Sequence, residues 1–449
     1  MKTPIRIIVA GDFRGTTAEV GTLRVTPGDT DALIEKLKPE ISLASGMTYR
    51  IETMKDFDVK KIAAALGGTA PSDDEITAVL HDSAFQAAEG AWRGLDFLVS
   101  RLPEKDVVLD VLNSTYGDLR RNFYDGVMKP DYHFESDIPA TIVLANYDFE
   151  YKGESFECFT DLAKMAEAIR TPFVAQTGAD FFNLKHLLHL PTIANPLERI
   201  TAGAYRAYHA FRETDTSFWA SLMLNRFLLR APHSTESYKE PASAQKPEQY
   251  LWGRGIWILG ANIIKSFETK GHLVGISGMG TGGEQLNLPT RELPLSRKEK
   301  VLTPLEAVLP IDIVEGLPYV GLSPLSQIPA DMGGQQQPGM IYLHLAANLR
   351  HIPDPEGKQY GLLTVHSSLA YSLMLGRLSN LAFKLSSGLE PQSPDQIAAT
   401  LKTALLEDIW FKEENELQIE AKEDAVTLVY KPHLVIHTRE FEIEVEIPL

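Results

Sequence analysis

The stretch "FQAAEGAWRGLDFLVSRL", Phe85 to Leu102, decides how the rest of the sequence is read. Its apolar residues Phe85, Ala88, Trp92, Leu95, Val99 and Leu102 recur at steps of three and four, which is one face of an amphipathic helix. Glu89 and Arg93 stand four apart and can pair across one turn. Gly90 and Gly94 have the same spacing, although each glycine costs a helix interior roughly 1 kcal/mol. A helix that keeps two glycines, a tryptophan and a paired arginine is either positioning chemistry or holding a neighbouring backbone close.

Around this helix, short apolar strands alternate with helices. "IRIIVA" (Ile5–Ala10) reads as a buried strand followed by the turn "GDFRG". "TDALIEKLKPEI" reads as a helix and "MTYRIET" as a second strand, and the loop-like "GGTAPSDDE" (Gly67–Glu75) marks a boundary. Beyond Phe85–Leu102 come "DVVLDVLN" (strand), "YGDLRRNFYDGV" (helix), "ATIVLANYDF" (strand), "CFTDLAKMAEAIRT" (helix) and "PFVAQT" (strand). "FWASLMLNRFLLRAP" and "YLWGRGIWILGANIIKSFETKG" read as helices, with an exposed loop (His233–Gln249) between them. Glycine- and proline-punctuated text runs on to "DMGGQQQPGM", and further helices are expected over Gly361–Ser386 and from Pro394 to about Trp410. This alternation predicts an α/β fold with mainly parallel or mixed sheets covered by helices. In "EFEIEVEIPL", Phe441, Ile443, Val445 and Ile447 alternate with glutamates, giving a strand with one buried and one charged face. Such a strand is either an ordinary protected edge or an arm that pairs with another subunit.

The net charge of −17 over 449 residues excludes a general nucleic-acid binder, which needs a basic surface, and docking on an anionic membrane. A single cysteine, Cys158, rules out an intrachain disulfide and suits a reducing compartment. The apolar run of the opening "MKTPIRIIVAGDFRG" is cut by Asp12 and Arg14, unlike a secretory signal. No stretch approaches the roughly 20 apolar residues of a membrane span. The expected localisation is cytoplasmic, or export without a cleaved signal.

Signals for chemistry are weak. "GMGTGGEQ" (Gly278–Gln285) could cradle a phosphate but lacks the Gly-Lys-Ser/Thr ending of a P-loop, and "GDFRG" lacks the glycine spacing of a dinucleotide site. His186 and His189 could share a metal on a helix, and His433 and His437 on one face of a strand, but neither pair sits in a zinc-binding frame. Cys158 has no CxxC partner, and no Gly-x-Ser-x-Gly is present. These residues support no catalytic, cofactor-binding or metal site.

"FQAAEGAWRGLDFLV" resembles the Phe-Gln…Glu-x-x-Trp-Arg-Gly-Leu…Leu-Val signature of the large subunit of the type VI secretion contractile sheath. "DVVLDVLNSTYGDLRRNF", "ATIVLANYDFE", "PFVAQTGADFF", "LNRFLLRAPHS", "YLWGRGIWILGANIIKSF" and "GTGGEQLNLPT" resemble further pieces of that subunit, in its order, over about residues 76 to 290. The likeness weakens but persists to "YKPHLVIHTREFEIEVEIPL". "PIRIIVAGDFRG", "LIEKLKPEISL" and "YRIETMKDFDVKKIA" are similar instead to the small sheath subunit.

The resemblance implies a contractile tail-sheath-like fold. A small strand–helix–strand module (residues 1–66) would be joined to a large-sheath-subunit-like domain (residues 76–449). It implies a non-enzymatic structural component of a contractile injection apparatus, without a cofactor, in which Trp92, Arg93, Gly90 and Gly94 pack the fold. The strand residues Phe441, Ile443, Val445 and Ile447 would form an assembly interface. Expected partners are other sheath subunits or copies of this chain, then inner-tube or baseplate proteins, with no nucleic acid and no membrane insertion. The family's N-terminal arm before the signature helix has no counterpart here. A non-polymerising accessory, cap or baseplate-associated protein is therefore the alternative, and a phosphate-ligand-binding α/β enzyme the remote one.

Overall fold

In a computed structural model of the protein, residues 3–15, 21–67, 71–200, 203–244, 246–295, 300–328, 339–356, 361–389, 393–407 and 416–448 are described. The strand Ile5–Gly11 (β1) is buried at every position. Side chains alternate across a strand, so Ile5, Ile7 and Val9 enter one apolar core while Ile8 and Ala10 enter a second. A strand buried on both faces belongs inside a helix-covered parallel sheet, and β1 lies there.

The remaining strands of its sheet are Leu23–Arg24 (β2), Val107–Asn113 (β3), Ile142–Asp148 (β4), Phe173–Gln176 (β5), Ala220–Leu224 (β6), Glu284–Gln285 (β7), Leu322–Ser326 (β8) and Ile341–Leu343 (β9). These nine strands run in the order β7-β9-β8-β6-β5-β4-β1-β3-β2. The stretch β8-β6-β5-β4-β1-β3 is parallel, and β2, β7 and β9 pair antiparallel at its ends. The first 66 residues thus supply the strand inserted between β3 and β4. Helices Ser83–Val99 (α1) and Gly255–Lys270 (α3) bury their apolar residues in the first core, and Gly153–Ala168 (α2) in the second. Helices Leu369–Ser387 (α4) and Pro394–Leu406 (α5) extend the first core towards a separate sheet of Leu417–Ala421 (β10), Ala425–Tyr430 (β11) and Ile443–Pro448 (β12).

Inside this apolar setting β1 carries one charge. Arg6 is 6% exposed. Its Nε donates to Asp110 Oδ2 (2.6 Å) on β3, its Nη1 to Asp131 Oδ1 (3.1 Å) and its Nη2 to Thr22 Oγ1 (2.9 Å). Asp131 Oδ2 also accepts from the Ala140 amide at 2.7 Å. At the start of the strand, the Arg377 guanidinium of α4 donates to the carbonyls of Thr3 and Pro4.

Several sequence expectations are corrected. Phe218–Pro232 does not form a helix: Ala220–Leu224 is β6, and Arg226–Leu228 pairs with Trp252–Arg254. An unbroken apolar run suits a buried parallel strand as well as a buried helix. The break between the two strands is Asn225 at φ +73°, whose Nδ2 donates to the carbonyls of Ala307 (2.7 Å) and Leu325 (3.2 Å). The following helix starts at Gly255, because Trp252–Arg254 is extended. The helix expected from Gly361 starts at Leu369, where the Ser368 hydroxyl caps it. Trp410 and most of "DMGGQQQPGM" lie outside the described residues.

Arg6→Ala leaves Asp131 without its buried counter-charge, and breaking such a pair costs about 3–5 kcal/mol. Urea denaturation should show that loss as a lower midpoint, and near-neutral behaviour would mean that the network contributes nothing.

Candidate functional site

Helix α1 is capped by Asp82, whose carboxylate accepts from the amides of Ala84 (2.9 Å) and Phe85 (3.1 Å). Trp92 is completely buried. Its Nε1 donates to the Phe13 carbonyl at 3.2 Å, and its ring meets that of Phe13 edge-on at 5.2 Å. This ties the helix to the turn that follows β1. The two glycines differ. A Cβ on Gly94 would fall 2.2 Å from the Trp257 ring of α3, whereas on Gly90 it would stand 3.7 Å from the nearest atom, the Trp252 carbonyl oxygen. Only Gly94 is required by a close approach.

Glu89 is also completely buried. Its Oε1 accepts from Arg93 Nε (2.7 Å) and Arg230 Nε (2.7 Å), and its Oε2 from Arg230 Nη2 (3.1 Å). Arg230 reaches on to Glu240 (Nη1 to Oε2, 2.7 Å), which lies 3.3 Å from His81 Nε2 and accepts from the His233 amide at 2.7 Å. Two buried carboxylates, two arginines and a histidine have the composition of an acid/base site, but Glu240 and Arg230 are held in their charged forms. Burial alone would raise the Glu240 carboxyl, yet the neighbouring His81 ring and the Arg230 guanidinium outweigh it and hold the group at about 2. Burial lowers Arg230, and its contacts with Glu89 and Glu240 more than reverse the effect. A general base works best near the operating pH, so this network suits bracing α1 against 230–240. Arg230 and Glu240 escaped sequence reading, the only signal being a charge closing an apolar run.

The glycine-rich loop is closed on itself. Gly278, Gly280 and Gly282 have φ of +81°, +77° and +122°, and a Cβ on Gly283 would meet the Gly278 nitrogen at 2.7 Å. The Gly280 amide donates to the Glu284 carboxylate, so a side chain of the chain's own fills the place an anion would take. Asn262, a buried polar residue in the apolar α3, secures the loop through the carbonyls of Ile276 and Gly283 (both 3.0 Å).

The histidine expectations change as well. His186 precedes and His189 falls within the short 3-10 turn Leu187–Thr192, their ring centroids 5.9 Å apart. His433 and His437 lie in a bend and a turn, not on one strand face. Among the described residues, no group of three or more His, Cys, Asp or Glu side chains is placed to hold a metal, and no helix is long and apolar enough to cross a membrane. Burial raises the Cys158 thiol above its ordinary value.

At the C-terminal end, β12 is an edge strand paired antiparallel with β11. Phe441, Ile443, Val445 and Ile447 are buried in the first core, Phe441 against the Tyr371 ring of α4 at 5.9 Å. Their side chains are therefore taken up inside the chain. The backbone faces the other way at alternate residues. Lys422 N donates to Ala425 O and Lys431 N to Glu416 O, both 2.8 Å. Bonded pairs alternate in an antiparallel ladder, so Val426, Leu428 and Tyr430 turn their backbone groups to β12, opposite Ile447, Val445 and Ile443. Glu442, Glu444 and Glu446 consequently turn their N–H and C=O groups outward; the Glu442 carbonyl is taken by the Tyr371 hydroxyl at 3.1 Å, which leaves Glu444 and Glu446 to form the open edge of β12.

Two outcomes check this geometry. Gly94→Ala should destabilise by about 1–3 kcal/mol through overpacking, whereas Gly90→Ala should be neutral or gain up to about 1 kcal/mol of helix propensity; equal effects in thermal melts would contradict the difference. The Glu240 contribution is whole above its ordinary value of 4.5 and disappears as pH falls towards about 2. Acid titration of stability should accordingly fall more steeply across that window in the wild type than in Glu240→Gln.

The family model described as VipB (EvpB), tail sheath N-terminal domain, matches residues 72–331. The curated type VI secretion system sheath protein TssC1 of Pseudomonas aeruginosa is 22% identical over 257 residues, which is 53% of this chain and 51% of that protein. The chain thus spans about half the length of the curated relative it matches. The crystal structure of the sheath tail protein from Desulfitobacterium hafniense aligns at 14% identity over 66% of this chain and 61% of that one, with a TM-score of 0.31. With the family match covering more than half of its residues, the chain belongs to the VipB tail-sheath family.

Proposed function

We propose that the chain is a structural subunit of a type VI-like contractile sheath, assembling with other sheath subunits or copies of itself through protein–protein contacts, without catalysis. One observation carries this reading furthest. The family match begins at residue 72, yet β1, flanked on both sides by the matched strands β3 and β4, comes from before it. The module of residues 1–66, similar to a small sheath subunit, thus completes the larger domain from within. The two subunit-like parts form one protomer on one chain, working in the cytoplasm. Inner-tube and baseplate proteins are further partners of such a protomer.

Assembly runs through the open edge of β12, which offers unpaired backbone groups for strand addition while its apolar side chains stay in the core. Truncation at Thr438 would remove part of that core, so the edge is better blocked by substitution. Proline at 444 removes an outward N–H and leaves the β11 ladder intact, as an edge position allows.

Negative-stain electron microscopy over a concentration series is expected to show tubes or higher oligomers for the wild type. Glu444→Pro should lose them while keeping its circular dichroism spectrum. A wild type that stays monomeric throughout would sink the proposal.

A further inference from the structure

We infer that the strand received at the open edge of β12 is cationic: an extended segment of another polypeptide that alternates apolar residues with lysine or arginine. The inference rests on the assembly reading above and names the chemistry of its partner.

The outward face of the three-stranded sheet is acidic. Cross-strand register places Glu420, Thr427 and Glu446 in one row, and Gln418, Val429 and Glu444 in the next. Glu420, Glu442, Glu444 and Glu446 are exposed. Lys422 lies 3.7 Å from Glu446 and Lys431 lies 2.8 Å from Glu442. Among the described residues Glu420 and Glu444 have no ion pair, so the face carries more carboxylates than cations.

In the middle of this face sits an unanswered polar group. Thr427 is 5% exposed, and its buried Oγ1 has no hydrogen-bond partner. Its neighbours in the row, Glu420 and Glu446, are acceptors when ionised, and a lysine or arginine brings only donors. From a strand added beside β12, the hydroxyl is two strand spacings away, about 10 Å, within reach of an extended arginine and its hydrogen bond.

The same residues refuse the simplest partner. Because Glu444 and Glu446 carry the open backbone groups, pairing two β12 edges through them would set glutamate opposite glutamate. Like charges directly opposite destabilise a sheet, and charged edge strands block edge-to-edge association. A strand with lysine or arginine at alternate positions meets the carboxylates instead, and the preference is strongest at low salt.

The test uses the full chain and three fluorescently labelled seven-residue peptides alternating valine with lysine, threonine or glutamate, read by fluorescence polarisation. The lysine peptide should bind about tenfold more tightly than the threonine peptide, as several opposed charge pairs allow, and the glutamate peptide should bind most weakly. The lysine preference should fall as salt rises, and the double variant Glu444→Lys/Glu446→Lys should favour the glutamate peptide. Lysine and threonine peptides binding equally would overturn the inference while leaving strand addition standing. Lysine peptide binding undiminished in the double variant would also overturn it, because general attraction to a chain of net charge −17 would then explain the binding. Should no peptide bind the wild type, or all bind Glu444→Pro equally well, strand addition at this edge fails and the inference fails with it.

Discussion

A single buried arginine in β1, an inner strand of the large sheet, constrains the whole molecule. β1 is apolar on both faces except at Arg6, whose guanidinium is met by Asp110 on β3 and by Asp131. Charges taken out of water must be matched closely or they destabilise the fold. Both matching carboxylates lie beyond the first 66 residues, so that segment finds its counter-charges only inside the larger sheet. Register follows from the same point. A slip of one residue would turn every side chain of β1 to the opposite face, driving Arg6 into the core that holds Ile5, Ile7 and Val9. The arginine thus selects both the face and the alignment of the inserted strand.

The signature helix carries that placement outward. Trp92 fixes the turn after β1 through the Phe13 carbonyl, and Gly94 lets α3 approach until Trp257 lies against the α1 backbone. Glu89, completely buried on the same helix, would be costly without Arg93 and Arg230. Apart from Gly90, each component that suggested chemistry in the sequence therefore has a packing task. The Glu240 carboxyl fits this: it is held at about 2, far from where a proton-transfer group works near neutrality.

Much of this was legible from local pattern. The buried strand Ile5–Ala10, the amphipathic α1, the alternation through Gln176 and the charged face of the last strand all follow from hydrophobic period. What escaped depends on distant partners. "ASLML" is apolar at every position because β6 is buried on both faces, and a buried helix would read the same way. Asn225 breaks that run only because it finds carbonyls 82 and 100 residues away. Arg6 carries no local signal, because its partners Asp110 and Asp131 lie 104 and 125 residues away. The glycine-rich loop invited an anion until the Glu284 carboxylate closed on it.

The C-terminal strand divides its work by parity. Its odd residues bury their side chains against α4 and bond to β11, so the sheet stays with the chain. Its even residues carry the open backbone groups and the carboxylates together, so hydrogen bonding and charge discrimination fall at the same positions. A partner strand engaged there touches neither apolar core. Packed cores resist continuous deformation, whereas an edge contact can tilt or slide at the cost of a few exposed bonds. On the sheath reading, this separation lets subunits change their relative pitch while each stays folded around Arg6.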